Sequence, residues 1–317
     1  MMLRELLRDT ADILVVGHQN ADPDAVASMV AFARLYRAVN ATGKVTLASD
    51  DVSRIATKVL QTFAPDAVVL DSVDGEFDLV VMLDTNSPIQ LGPSMCGVLR
   101  DPERTLIIDH HIEATNLASV ASHSIVNSDR SSTCEIVAGL YEEMGVEMSP
   151  DTASLLLAGI LFDSRRFLYA DGRTLEVALR LIAAGADYQK CMSSLVSRPD
   201  KSERIARLKA VARMKSYYLG DWIVVTSVVN AFEASTCRAM IELGADVAIV
   251  GGKPSKDLVR LSCRCTNEFH EATGISMARD VMEPQVRPLV GRVAATPMLR
   301  ALMAPRTLSW PSQEPSS

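Results

Sequence analysis

At 317 residues with 48% hydrophobic side chains, the chain can bury one large core or two ordinary ones. A formal net charge of −7 argues against broad binding of duplex nucleic acid, and six scattered cysteines without a CxxC pair argue against a disulfide framework. Apolar runs stay well short of the ~20 residues a membrane span needs, and Met1-Met2-Leu3-Arg4-Glu5 lacks the apolar core of a secretory signal; a reduced, cytoplasmic setting is expected.

A short helix is expected over 3–10, and a strand over 13–17 runs into His18, Asp22 and Asp24. Asp24 is expected to cap the helix that follows over 25–39. A strand at 45–49, a helix at 53–63 and a strand at 68–70 come next. The run Leu79-Val80-Val81-Met82-Leu83 then ends in Asp84, and Asn86-Ser87-Pro88 breaks the chain. Thr105-Leu106-Ile107-Ile108 ends in Asp109-His110-His111. Ser132-Thr133-Cys134-Glu135 reads as a capping box opening a helix over 133–144. Helix 152–162 leads to Asp163, and helix 174–184 follows the turn Asp171-Gly172.

Strands alternating with helices predict a doubly wound, mainly parallel α/β sheet. A helix over 201–217, opened by Asp200, reads as a connector. A smaller α/β unit then has strand 222–229, helix 234–243, strand 247–250, Gly251-Gly252, strand 257–264 and a helix near 275–282. The expected division is a catalytic domain 1–189, a basic connector helix 190–217, a second domain 218–304 and a flexible tail 305–317. Cys263 and Cys265 share one side of a strand and read as core thiols.

Three apolar strands thus each deliver Asp or His to the edge of a parallel sheet where ligands bind. One such residue is an ordinary cap or turn. The ordered set of His18, Asp22, Asp24, Asp84, Asp109-His110-His111 and Asp163 resembles the four motifs of the DHH phosphoesterase family over roughly 11–170. That family includes RecJ-like nucleases, nano-RNases that also act on pAp, cyclic-dinucleotide phosphodiesterases, exopolyphosphatases and type II inorganic pyrophosphatases.

The resemblance implies a hydrolase with two Mn²⁺ ions, Mg²⁺, Co²⁺ or Zn²⁺ being substitutes. One ion would take His18, Asp22 and Asp84; the other would take Asp24, Asp84, His110 and Asp163, with Asp84 bridging. Asp109 would orient an imidazole and His111 would face the substrate phosphate. Asn20 and Arg165 lie beside ligands as weaker candidates, and His123 and His270 read as ordinary histidines.

The distal half resembles the family's substrate-binding domain through Arg260-Leu261-Ser262-Cys263-Arg264, where Arg260, Ser262 and Arg264 would share a strand face. The family's Gly-Gly-Gly-His loop is missing, its nearest remnant being 288–296. Charge is uneven: residues 1–189 hold 14 basic and 27 acidic side chains, whereas 190–215 hold 8 basic and 2 acidic. The basic segment reads equally as a solvated helix face or a phosphate-binding surface. The favoured substrate is a short oligonucleotide or small nucleotide, with no long duplex and no membrane partner; assembly as a homodimer is left open. The alternatives are a pyrophosphatase or polyphosphatase, for which Lys253, Lys256 and Arg260 could serve, and a non-catalytic nucleotide sensor.

Overall fold

The computed structural model describes residues 3–95, 97–112, 117–196, 199–255 and 258–282. The expected 305–317 tail, the 288–296 remnant and Lys256 lie outside them. The chain forms two compact units, Met1–Ser197 and Arg198–Ser317.

The first unit runs α1 (Leu3–Asp9), β1 (Asp12–Val16), α2 (Pro23–Val39), β2 (Lys44–Ala48), α3 (Arg54–Phe63), β3 (Val69–Leu70) and β4 (Leu79–Leu83). It continues with β5 (Thr105–Asp109), α4 (Leu117–Val120), β6 (His123–Val126), α5 (Thr133–Glu143), α6 (Pro150–Asp163), α7 (Gly172–Ala183) and α8 (Tyr188–Ser194). The six strands pair in parallel in the order β3-β2-β1-β4-β5-β6. The chain winds outward from β1 to β3, then returns to place β4 on the other side of β1. Strand order reverses between β1 and β4, and a doubly wound sheet opens its ligand crevice at that point.

The period-two alternation of the strands sorts their side chains onto two faces. Ile13, Val15, Val81, Leu83, Leu106 and Ile108 join the large core under α2, α5 and α6. Leu14, Val16, Val80, Met82 and Ile107 face a thinner cover that includes Leu91, Met95, Leu117 and Val120. Every residue of β4 and β5 is buried, which accounts for their unbroken apolar runs. In α6 all residues from Thr152 to Leu161 are buried, so this helix is apolar around its whole circumference. Truncating a side chain such as Leu157, 0% exposed, to alanine costs about 2–5 kcal/mol through the lost transfer energy and the cavity left behind.

The second unit contains α9 (Lys201–Ala212), β7 (Lys215–Leu219), β8 (Trp222–Val229), α10 (Glu233–Glu242), β9 (Val247–Ser255), β10 (Leu258–Cys265) and α11 (Asn267–Thr273). Its sheet has the order β10-β9-β8-β7; β8 and β9 are parallel through the α10 crossover, and both outer pairs are antiparallel. Cys263 and Cys265, expected in the core, are half-buried beside Trp222, Val224 and Phe269.

Three sequence expectations need correction here. The helix expected over 201–217 stops at Ala212, because Tyr217, Tyr218 and Leu219 join a hairpin with β8 through a two-residue loop at Gly220, whose φ is 62°. Segment 190–217 is therefore not one connector helix. The strand expected to stop at Gly251 continues through both glycines to Ser255. The terminal helix near 275–282 is a π-helical turn, Met277–Met282, and the regular helix is α11, capped by Thr266. The basic segment is also partly consumed by packing. Lys190 sits over the Phe63 ring, and Arg207 pairs with Glu203 and donates to Ser235.

Candidate metal centre

Gly17 follows β1 in close contact with α2: a Cβ there would fall 2.7 Å from Met29 Sδ, so that side chain would have to shift. This tight crossing delivers His18 to the crevice, and Asp22 turns the chain into α2. Asp22, not Asp24, caps that helix, its Oδ1 accepting from the Asp24 and Ala25 N–H groups. The sequence expectation for Asp24 fails because Pro23 begins the helix and leaves Asp24 inside it. The buried Asp24 carboxylate instead accepts from Thr133 N at 2.7 Å and Cys134 N at 3.0 Å. It thereby caps α5, 109 residues further along the chain.

Asp84 follows β4 directly, in the left-handed region at φ 61°. Such a conformation costs a non-glycine residue on the order of 1–3 kcal/mol. It is held by the Asp84 N–H donating to Ile108 O at 3.1 Å and by the Thr133 hydroxyl donating to Asp84 Oδ1 at 3.0 Å. Asp84 Oδ2 lies 3.6 Å from His18 Nε2, and Oδ1 lies 3.5 Å from His110 Nε2. Asp163, the last residue of α6, places Oδ2 at 3.1 Å from His110 Nε2.

The histidines are oriented from behind. His18 Nδ1 bonds the Gln19 carbonyl at 2.9 Å, and His110 Nδ1 is 3.4 Å from Arg130 O, so both present Nε2 inward. His111 Nδ1 donates to Asp109 Oδ1 at 2.8 Å. Asp109 is fully buried and fixed by Asn86 Nδ2 at 2.7 Å.

Burial would pull the His18 pKa down, but Asp84, the Gln19 carbonyl and Asp22 outweigh it and hold the ring at about 9. Burial of His110 is overcome in the same way by Asp163, Asp84 and Asp24, which raise it to about 11. The same contacts hold Asp84 at about 2 against its burial. Burial and the nearby charges of Asp84 and Asp163 push Asp22 up to about 6 and Asp24 well above the carboxylate range. The Asp109 contact raises His111.

Ligand atoms of His18, Asp22 and Asp84 lie within 4.8 Å of one another, as do those of Asp24, Asp84, His110 and Asp163, and a third set joins Asp84 and Asp109 to His110 and His111. His110 Nε2 is buried and makes no hydrogen bond, although it faces two carboxylates. Buried like charges around an unbonded imidazole nitrogen are what a divalent cation relieves. Oxygen and nitrogen donors without a thiolate suit Mn²⁺ or Mg²⁺. Cys134 is no ligand: its thiol is directed to the Asp24 carbonyl and held protonated by burial and by Asp24.

The six proposed ligands are thus neighbours, with His111 and Asp109 beside them. Arg260, Ser262 and Arg264 lie in the second unit on β10, where they alternate along one face. Arg260 is 3.9 Å from the buried Glu233 of α10. Asn20 occupies a left-handed turn position, as does Arg165, which lies against the Tyr169 ring. Sequence reasoning missed Thr133, Asn86, Gln19 and Gln90. Thr133 sat in a recognised capping box, but nothing there pointed to Asp84.

Residues 12–160 match the DHH family, N-terminal domain. An uncharacterized protein of Methanocaldococcus jannaschii is 32% identical over 265 residues, covering 83% of this chain and 78% of that one. The chain belongs to the DHH family. A probable manganese-dependent inorganic pyrophosphatase of Exiguobacterium is 28% identical over 242 residues, 70% of this chain and 72% of that one. A cyclic-di-AMP phosphodiesterase of Bacillus subtilis is 22% identical over 58% of this chain, which spans only 30% of its length. The fold is shared with an exopolyphosphatase-related protein of Bacteroides fragilis at TM-score 0.65 and 17% identity, over 84% of this chain and 82% of that one. As its DHH membership and the pyrophosphatase and phosphodiesterase relatives imply, the chain is a metal-dependent phosphohydrolase. Among the described residues, no helix is long and apolar enough to cross a membrane.

Proposed function

We propose that this DHH protein hydrolyses phosphoester bonds of short oligonucleotides or small nucleotides, with two Mn²⁺ ions held around Asp84. The observation that carries the two-ion reading is the division of that carboxylate: Oδ2 faces His18, and Oδ1 faces His110. His18 and Asp22 would complete one site, and Asp24, His110 and Asp163 the other. Bound cations would neutralise phosphate oxygens and acidify a water for attack.

The chain's own residues then do the following. Asp109 accepts from His111 Nδ1 and favours the doubly protonated ring, whose Nε2–H would donate to a phosphoryl oxygen. Asn86 fixes Asp109, so the imidazole does not have to reorganise as charge develops. Thr133 and the first turn of α5 hold Asp84 and Asp24 in place.

The same geometry serves an inorganic pyrophosphatase, a reading favoured by the Exiguobacterium relative. The ester reading draws support from the cavity over Asp84, whose lining in the described residues includes no Lys or Arg to hold a second phosphate directly bonded to the first. The deciding experiment is a Mn²⁺-supplemented screen of the full chain over pApA, pAp, cyclic di-AMP, pyrophosphate and a generic aryl phosphodiester. Preferential turnover of the nucleotide substrates is expected. Pyrophosphate as the best substrate would replace this reading with the second, and turnover of none would leave a nucleotide sensor.

A further inference from the structure

The cavity over the candidate centre has a volume of about 450 Å³. Five of its seven lining residues are metal candidates or His111; the other two are Gln19 and Gln90. Neither side chain is an imidazole or a carboxylate, so neither belongs to the clusters that could hold a cation. Both are nevertheless held firmly. The Gln19 N–H donates to Gln90 O at 2.6 Å, tying the loop after β1 to the loop after β4. Asp50, beyond β2, secures both loops: its Oδ2 accepts from Gln19 Nε2 at 3.4 Å and from Ser94 N at 3.3 Å. The loop closes onto Asp50 through Gly92, at φ 82°, where a Cβ would fall 2.3 Å from the same carboxylate.

The Gln90 carboxamide is also oriented. The Thr85 hydroxyl oxygen accepts from the Ser87 N–H at 3.3 Å. Its single proton then goes to Gln90 Oε1 at 2.5 Å, in preference to the Ser87 carbonyl at 3.4 Å. With its oxygen engaged by Thr85, the amide keeps its NH₂ as the free donor of a residue that lines the cavity. Thr85 is the neighbour of Asp84, so this donor is registered to the shared carboxylate by a single peptide bond.

We propose that Gln90 is a substrate-binding residue whose NH₂ donates to a phosphoryl oxygen of the bound ester, with Gln19 and Asp50 holding it in place. This rests on the phosphoester reading above. The donor is neutral, so it orients the anionic group without adding charge to a centre that already carries two cations when loaded. A neutral donor on a charged acceptor contributes on the order of tenfold or more in affinity.

The test is calorimetric binding of inorganic phosphate to the Mn²⁺-loaded full chain, which does not depend on turnover. Gln90→Leu is expected to weaken phosphate binding by about tenfold while leaving Mn²⁺ affinity unchanged; Gln90→Glu should weaken it further, because the donor is lost and a repelling charge added. Unchanged phosphate affinity in Gln90→Leu overturns the proposal. A parallel loss of Mn²⁺ affinity also overturns it, since that would make Gln90 a support of the loop and not a contact to substrate. If wild-type protein binds phosphate through Gln90 yet turns over no ester, the inference stands and the phosphoesterase reading fails.

Discussion

The Thr133 hydroxyl donates to Asp84 Oδ1 at 3.0 Å, and the N–H of the same residue donates to Asp24 Oδ2 at 2.7 Å. One residue at the start of α5 thus fixes two carboxylates, one from the first turn of α2 and one from the end of β4. Thr133→Val keeps the shape and the N–H but removes the hydroxyl donor. Mn²⁺ affinity should fall by about tenfold, the lower end of what second-layer partners contribute to metal sites. Titration calorimetry measures it, and wild-type affinity in the variant would show that the hydroxyl is idle.

Asp84→Asn should lower turnover by several orders of magnitude, because the residue faces both candidate sites. His123→Ala provides the contrast. His123 lies in β6, paired with Leu106, and belongs to none of the ligand clusters. Steady-state rates on an aryl phosphodiester should separate the two variants widely, and similar rates would refute the ligand assignment.

Protons should accompany the metal. Without it, His18 is held at about 9 and His110 at about 11, so both rings carry a proton near neutrality. Metal binding must expel those protons, and affinity should rise from pH 6 to pH 9. Metal-free stability should run the opposite way. A histidine raised in the folded state binds more protons than the unfolded chain above ~6.5, so stability falls as pH climbs toward 9. Asp22, raised to about 6, acts in the same direction at lower pH. Urea unfolding at pH 6.5 and pH 9 should show stability falling without Mn²⁺ and staying nearly level with saturating Mn²⁺, where both rings are already unprotonated; equal falls would contradict the assignment.

Asp109→Asn should cost turnover about 10- to 100-fold, with KM little changed. The mutation removes the charge that holds His111 and keeps its shape beside Asn86. A rise in KM at constant kcat would place His111 in ground-state binding instead.

Substrate length follows from charge. Acidic residues outnumber basic ones 27 to 14 over 1–189, so a long backbone crossing that surface is repelled away from the cations. Rates on 5′-labelled RNA should peak at about two to five nucleotides and vary little with salt, as a few phosphate contacts give a shallow slope. Efficient, strongly salt-dependent degradation of strands of about 24 nucleotides would refute the length argument.

The strands that carry the site were legible because β4 and β5 are buried on both faces and read as unbroken apolar runs ending in acids. The partner of Asp24 was not, since a carboxylate after a strand looks like a local cap, and its real partner is set by how α2 and α5 cross. β6 escaped notice because His123-Ser124-Ile125-Val126 is four residues long and half polar. β7 was absorbed into the preceding helix; only its pairing with β8 distinguishes Tyr217 and Tyr218 from a helical continuation. Gln90 carries no sequence signature, and its meaning depends on Thr85, Asp50 and the sheet beneath them.

Gly159, in the middle of α6, offers a way to tell working relatives from lapsed ones. A Cβ at that position would fall 2.3 Å from Cys134 Sγ and 2.9 Å from Asp24 Oδ1. A descendant with alanine or serine there could keep every histidine and aspartate of the motifs and still have Asp24 displaced from its cradle. Surveys that score members of such lineages only by their motif residues would count it as active, although the silencing change is a single methyl group on a residue that touches no substrate.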